Sequence, residues 1–549
     1  MSGFVAAVQL DGLKLVRSFR KALKSTGGYF GAMSTEKSET QQADVSRRRF
    51  LKIGAGVVVV AAAGAAGYYL MQPPSGPPTP TTMTEATSMT EATTSAPPPV
   101  VPETIEWGIW SWGVELVQDN ARIFMEGNPD ITVKIDDYGL DTFGSGVATA
   151  YAGGKPADMH YSTPDVTIVY QASKQTYDME TNYPDITKYN DDIYPGYRSG
   201  LTNPYTGKMY GLFYYSGGQT FAYNKRHYEA AGIGDQPPKT MDELRANALK
   251  IKAKSASDKT LPEFPIGYFA GSWGFTECAV YTTMMTLTDE KPPYLFDEDL
   301  KPIFNYKGSP LFNGVKFLGD TIWIDKTSTP AVIQYEEADT VKVMGSGKHS
   351  TMWFPDYELA FINATDSTTG KPATDEAYNL KVAVSPGSGV ISSIYRTYLP
   401  SHVANDSTPN HRDAVWRLMQ FVGGKTTNAK PDFANGKYQV VKRLAMQAGL
   451  AFPYISMWDD KEITDSMSSW IDPTARKDAL ALAYDFFNDP KMTTWWGDWF
   501  GYWAAGVVRP RFQSIWLGEH GKPASDDYIA SVLDDIAAEW NKMKAAAGA

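Results

Sequence analysis

Residues 206–244 read TGKMYGLFYYSGGQTFAYNKRHYEAAGIGDQPPKTMDEL, and the fold is decided there. The stretch holds a Gly207-Lys208 turn, Tyr210-Gly211, the aromatic pair Tyr214-Tyr215, the tripeptide Tyr223-Asn224-Lys225, Ala231-Gly232 and the run Pro237 to Thr240. Thr240 and Glu243 have the spacing of a capping box, and Leu244, Ala248 and Ile251 then line one face, so a helix begins there. Upstream, TIEWGIW (104–110) is a strand, and a helix through VELVQDNARIFMEG stops at Gly127-Asn128-Pro129. ITVKI (131–135) is the next strand, VATAYAGG (147–154) ends a helix, and ADMHYS (157–162) is a third strand. Strand–helix–strand units at this spacing predict an α/β layer with parallel pairing.

Two further helices are scaffold. One runs through TPNHRDAVWRLMQFVGG, with Val415, Leu418, Met419 and Val422 at core spacing and Gly423 as its stop. The other, ASDDYIASVLDDIAAEWNKM, carries Ile529, Val532, Leu533, Ile536 and Trp540 on one stripe.

The motifs of 206–244, taken together, closely resemble the extracellular solute-binding proteins of ABC sugar importers, the maltose-binding-like family. Weaker echoes run through 104–545: NPDITVKI, AYAGGKPADMHY, ADTVKVMGSGKHSTMWFPDY, KVAVSPGSG, HRDAVWRLMQFV and RPRFQSIW. Residues from about 440 to 505 match least. The resemblance implies a two-lobed, periplasmic-binding-protein-like α/β fold with hinge strands that the chain crosses more than once. The lobes are expected at 104–218 (lobe I), 219–385 (lobe II), 386–440 (lobe I return) and 441–549 (lobe II return, with an aromatic-rich insertion). It further implies a carbohydrate held between the lobes, an ABC permease as partner, and a monomer.

Sugars present apolar C–H faces that flat rings cover and hydroxyls that carboxylates pair with. The chain has 15 Trp, 32 Tyr and 24 Phe, ample for such a site. Matched to the family, the candidate ligand-binding residues are Trp110 and Trp112 past the first strand, Asp158 after Pro156, Tyr215 beside the hinge, Trp273, Trp353 and Trp516. Trp495, Trp496, Trp499 and Trp503 are read as packing for the insertion.

Other function classes are poorly served. A net charge of −11 provides no basic field for nucleic acid. The single cysteine, Cys278, excludes internal disulfides and Cys-clustered metal sites. The six histidines have no metal-ligand spacing, no Gly-x-Ser-x-Gly elbow occurs, and GGKT (423–426) lacks the leading glycine of a phosphate loop. FDEDLKPIF (296–304) lacks the Gly and terminal Glu of a calcium loop. No metal, cofactor or catalysis is expected. The alternatives are a binder of the same fold for a polyol phosphate, polyamine or peptide, an exported glycoside hydrolase, and a tethered adhesion or sensory module.

The N-terminal region reads as an address. SRRRFLKIGAGVVVV (46–60) looks like a twin-arginine export signal. Residues 53–71 are a 19-residue apolar run, and residues 1–52 hold ten Lys/Arg against four Asp/Glu, which places the start in the cytoplasm and the bulk outside. The run is read as an anchor in preference to a cleaved signal, with Met33 as the true start. Residues 72–103, with nine Pro and eight Thr, make an extended stalk of the O-glycosylated type. Asn363-Ala-Thr and Asn405-Asp-Ser match N-glycosylation acceptors.

Overall fold

The computed structural model describes residues 102–547 except 112, 140–142, 163–166, 168–169, 172, 204, 272–294, 298, 365–370, 388–390, 401–407 and 485–502. The export signal, apolar run and stalk up to residue 101 therefore lie outside the described residues, as do Cys278, Asn405, Trp495, Trp496 and Trp499, while Glu103, expected to end the stalk, opens the first strand.

The chain opens with β1 (Glu103–Ile109), α1 (Val114–Gly127), β2 (Ile131–Asp137), α2 (Phe143–Ala152) and β3 (Met159–Ser162). β1 lies parallel to both β2 and β3, as the strand–helix–strand pattern predicts. β1 alternates over Glu103–Trp107 and is then buried throughout, and Ile105, Trp107 and Ile109 join the core with Val117, Ala121 and Phe124 of α1. Burying such side chains stabilises by about 1.5–3 kcal/mol each.

β4 (Phe213–Asn224) is the strand inside the deciding stretch, and all twelve of its residues are buried. It serves two neighbourhoods. Residues Phe213–Gly218 pair antiparallel with β8 (Ile391–Pro400), which in turn pairs with β3. Residues Gln219–Asn224 pair instead with β6 (Thr351–Pro355) and β7 (Leu380–Ala383). The change of partner falls at Ser216-Gly217-Gly218, where small residues let other backbone approach. A Cβ on Gly217 would stand 2.9 Å from a carboxylate oxygen of Asp356, so only glycine fits there. β5 (Ile266–Gly267), parallel to β6, and β9 (Ala483–Tyr484), parallel to β8, complete a nine-stranded sheet.

Helices cover both lobes. In lobe II, α3 (Met241–Ser255) starts where the spacing predicts: the Thr240 hydroxyl accepts from the Glu243 N–H, and Leu244, Ala248 and Ile251 are buried. The Glu243 carboxylate closes the cap on the Lys239 N–H, not on that of Thr240. α4 (Pro310–Trp323), α5 (Glu337–Gly345) and α6 (Glu358–Ile362) follow. In lobe I, α7 (Pro409–Gly423) is capped by Thr408 and extends one residue past the expected halt, so that Gly424 is its C-cap.

One expected placement is corrected. The sequence places α8 (Gln439–Ala448) in the return into lobe II, yet it packs on α7 and β4 in lobe I. Arg443 reaches back to Asn120 at 2.9 Å and to Asp119, the Ala451 carbonyl accepts from Ser216, and the Tyr454 hydroxyl donates to Gly423. The return comes later. α9 (Pro473–Ala481) lies against β4, β7 and β8, and α10 (Arg509–Leu517) and α11 (Asp526–Ala547) pack on α4. The α11 stripe Ile529, Val532, Leu533, Ile536 and Trp540 is buried as read.

Candidate functional site

In open α/β sheets, ligands settle beyond the carboxyl ends of parallel strands. Here those ends carry aromatic rings. Trp110 follows β1, Tyr138 follows β2, and Tyr161 lies on β3. Trp110 stacks on Tyr161 with centroids 4.7 Å apart, and Phe143 at the start of α2 stands edge-on to both Trp110 (6.0 Å) and Tyr138 (6.0 Å). Tyr161 then meets Tyr214 at 5.4 Å and Tyr215 at 6.5 Å, carrying the seam onto β4 at the hinge. Trp110 is half-buried and Tyr215 is 6% exposed. At the rim, the Ser111 hydroxyl donates to Asp137 at 2.8 Å.

Lobe II brings polar groups to the same place. Tyr357, just past β6, is half-buried and donates its hydroxyl to Glu337 at the start of α5. Burial, Glu337 and the neighbouring Tyr215 together hold the Tyr357 phenol well above its ordinary range. Glu358, next along, is 5% exposed, and burial and then the Glu337 charge push its carboxyl up to about 8. Its hydrogen-bond partners are Thr340 and Glu337 on α5. Rings from lobe I and hydroxyl and carboxyl groups from lobe II thus meet beside the partner change in β4. Such a site stacks on a flat apolar face and hydrogen-bonds to polar groups around its edge. Among the described residues, no group of three His, Cys, Asp or Glu is placed to hold a metal.

Of the seven residues singled out from sequence, Trp110 and Tyr215 join this seam. Trp112 and Trp273 lie outside the described residues. The other three sit elsewhere. Trp353 is 1% exposed in the middle of β6, packed on Phe221 and stacked over Tyr268, with its indole N–H given to Ser385 at 2.7 Å. All five residues of β6 are buried, so a ring within the strand belongs to the lobe II core. Trp516 is fully buried, donates to the Val315 carbonyl at 3.0 Å, and fastens α10 to α4. Asp158 accepts from the Glu106 N–H at 2.7 Å and from His411 at 2.9 Å. His411 also reaches Glu103 at 3.0 Å, and Asp158 first, then Glu103, raise it to about 9 against the opposing effect of burial. Asp158 is a structural ion-pair partner.

The acceptor motif at Asn363 is corrected too. Its side chain is buried, donating to the Trp470 carbonyl at 2.5 Å and accepting from the Tyr378 N–H at 2.7 Å, so it has no amide to offer a glycan.

Sequence reasoning missed Tyr357, Glu337 and Glu358. The available signal was the end of the strand in TMWFPDYE, four residues beyond the tryptophan that drew notice. A separate open groove of about 670 Å³ lies on lobe II among Arg226, Lys259, Phe264, Tyr335, Lys348 and Glu376. Its lining comes just after β4 and just before β5, β6 and β7, and Glu376 there is engaged by Arg226 and Asn224.

The fold recurs in solved structures. Maltose-bound MalE3 of T. maritima superposes with a TM-score of 0.58 at 16% identity, covering 79% of this chain and 99% of that one. A solute-binding protein of Thermotoga lettingae bound with α-D-tagatose gives 0.59 at 20% identity, with 80% and 99% covered. The sugar-binding protein MalE of Xanthomonas citri gives 0.59 at 17% identity, with 80% and 98% covered. No curated protein matches the sequence. The family model for bacterial extracellular solute-binding proteins matches residues 111–429, more than half of the chain. Built as two lobes that share β4, this chain belongs to the bacterial extracellular solute-binding protein family.

Proposed function

We propose that the protein captures a carbohydrate between its lobes and hands it, unaltered, to the permease of an ABC transporter. The observation that carries this reading is the aromatic seam from Trp110 through Tyr161 to Tyr215, met from lobe II by Tyr357. Rings cover sugar faces, and phenols pair with hydroxyls without burying a net charge. The solved relatives that hold maltose and tagatose support the same ligand class. Trp112 and Trp273 remain part of the proposed site. A single neutral hydrogen bond nets only about 0.5–1.5 kcal/mol, so ring stacking and several convergent bonds must act together.

The protein works outside the membrane in this reading, exported by the twin-arginine signal, held by residues 53–71 and raised on the stalk of 72–101. It acts as a monomer, without cofactor or catalysis. A second reading has one observation in its favour: the Glu337 carboxylate stands on the lobe II side beside Tyr357, as a polyamine would require.

Thermal unfolding of the full chain with a panel of mono- and oligosaccharides, and with spermidine, tests the two. A sugar that raises the midpoint in proportion to the logarithm of its concentration supports the carbohydrate reading. Stabilisation by spermidine alone selects the other, and liberation of reducing ends in the same samples would make the protein a hydrolase.

A further inference from the structure

Arg476 on α9 is fully buried, and so is Asp356, which follows β6. The Arg476 Nε donates to the Asp356 carboxylate at 2.5 Å, while Nη2 donates to the Gly449 carbonyl at 2.7 Å. Those two acceptors belong to different lobes. Gly449 is the C-cap of α8 in lobe I, in the left-handed conformation with φ 69°, and Asp356 is the first residue beyond β6 in lobe II. Both stand at the pivot: the Asp356 N–H bonds the Gly218 carbonyl, and its carboxylate lies against Gly217. The guanidinium also lies 5.1 Å from the Trp470 ring centroid, and the Trp470 carbonyl takes the bond from Asn363 at the end of α6.

We propose that Arg476 is a positioning residue that couples the two lobes, fixing their relative orientation at the hinge with one hand on each. A buried ion pair is weak evidence for stability, because an apolar pair of similar volume often does as well. Its directional content is different. The rigid guanidinium fork can satisfy a carboxylate and a carbonyl at once only when the lobes hold one mutual angle. Lysine keeps the charge but is a point donor, so it serves the carboxylate and gives up Gly449. This inference rests on the two-lobed fold and not on the identity of the solute.

The test is the distance between nitroxide labels at Lys134→Cys on β2 and Lys254→Cys on α3, both exposed, in the ligand-free full chain with Cys278→Ser. With Arg476 present, the distribution is expected to be narrow. Arg476→Lys is expected to broaden it or displace its maximum, with near-ultraviolet dichroism unchanged, and Arg476→Met combined with Asp356→Leu to broaden it further. A distribution for Arg476→Lys identical to the unaltered one overturns the proposal, whatever the double variant does. A fall in unfolding midpoint with unchanged distances reduces Arg476 to a packing role and also overturns it.

Discussion

The His411 bridge makes a pH-dependent claim whose sign can be worked through. In the folded protein His411 sits between Asp158 and Glu103 and holds its proton up to about 9, against an ordinary 6.5. Its contribution to stability is therefore fully present below about 6.5 and is lost as pH rises through about 9. At about 1.4 kcal/mol per tenfold change in proton affinity, the contribution below 6.5 approaches roughly 3 kcal/mol and is nearly gone at pH 10. His411→Gln removes the titration and keeps a comparable volume. The assay is urea unfolding of both proteins at pH 6 and pH 10, read by tryptophan fluorescence. The free-energy gap between His411 and its replacement is expected to narrow by about 3 kcal/mol on going to pH 10. A gap that is constant across that range, or that widens, refutes the ion pair and with it the structural assignment of Asp158.

Other outcomes follow from the same geometry. Asp158→Asn is expected to destabilise the fold at pH 6 while leaving solute affinity unchanged, as read by calorimetry. Trp353→Ala should lower the unfolding free energy by about 3–5 kcal/mol, as a buried indole demands, whereas Tyr357→Ala should spare the fold and weaken ligand binding by about 1 kcal/mol or more. Glu358 works against the fold at higher pH. With its carboxyl raised from 4.5 to about 8, stability falls as pH climbs through that window, because the folded state holds the proton more tightly. Glu358→Gln should therefore gain up to about 3 kcal/mol on the unaltered protein between pH 5 and pH 8, measured by denaturant titration.

Much of the fold was legible because it is local. The capped helix at Thr240, the stripe of α11 and the β1–α1–β2 unit each rest on spacing within a dozen or so residues, which the physics of periodic burial makes visible. The hinge was half legible: Ser216-Gly217-Gly218 announces a close approach but not what approaches. That α8 sides with lobe I was not legible at all. It depends on Arg443 meeting Asp119 and Asn120 more than 300 positions earlier, and nothing in the helix itself names that partner.

The site was harder to read than the fold. Residue type was a poor guide, since a chain with 15 Trp must bury many of them, and a strand covered on both faces buries every ring it carries. Position discriminates better. Trp353 and Tyr357 are four residues apart, and the first is sealed within β6 while the second has left the strand and faces the hinge beside Tyr215. Trp110 obeys the same rule, standing one residue past β1 where Trp107, inside it, is wholly buried. Tyr161 and Tyr215 do not follow that rule: both lie within buried strands, and they enter the seam only through the rings they touch. Asp158 errs in the opposite sense: it stands at a turn where a ligand acid would be sought, but His411, 253 residues downstream, already occupies it.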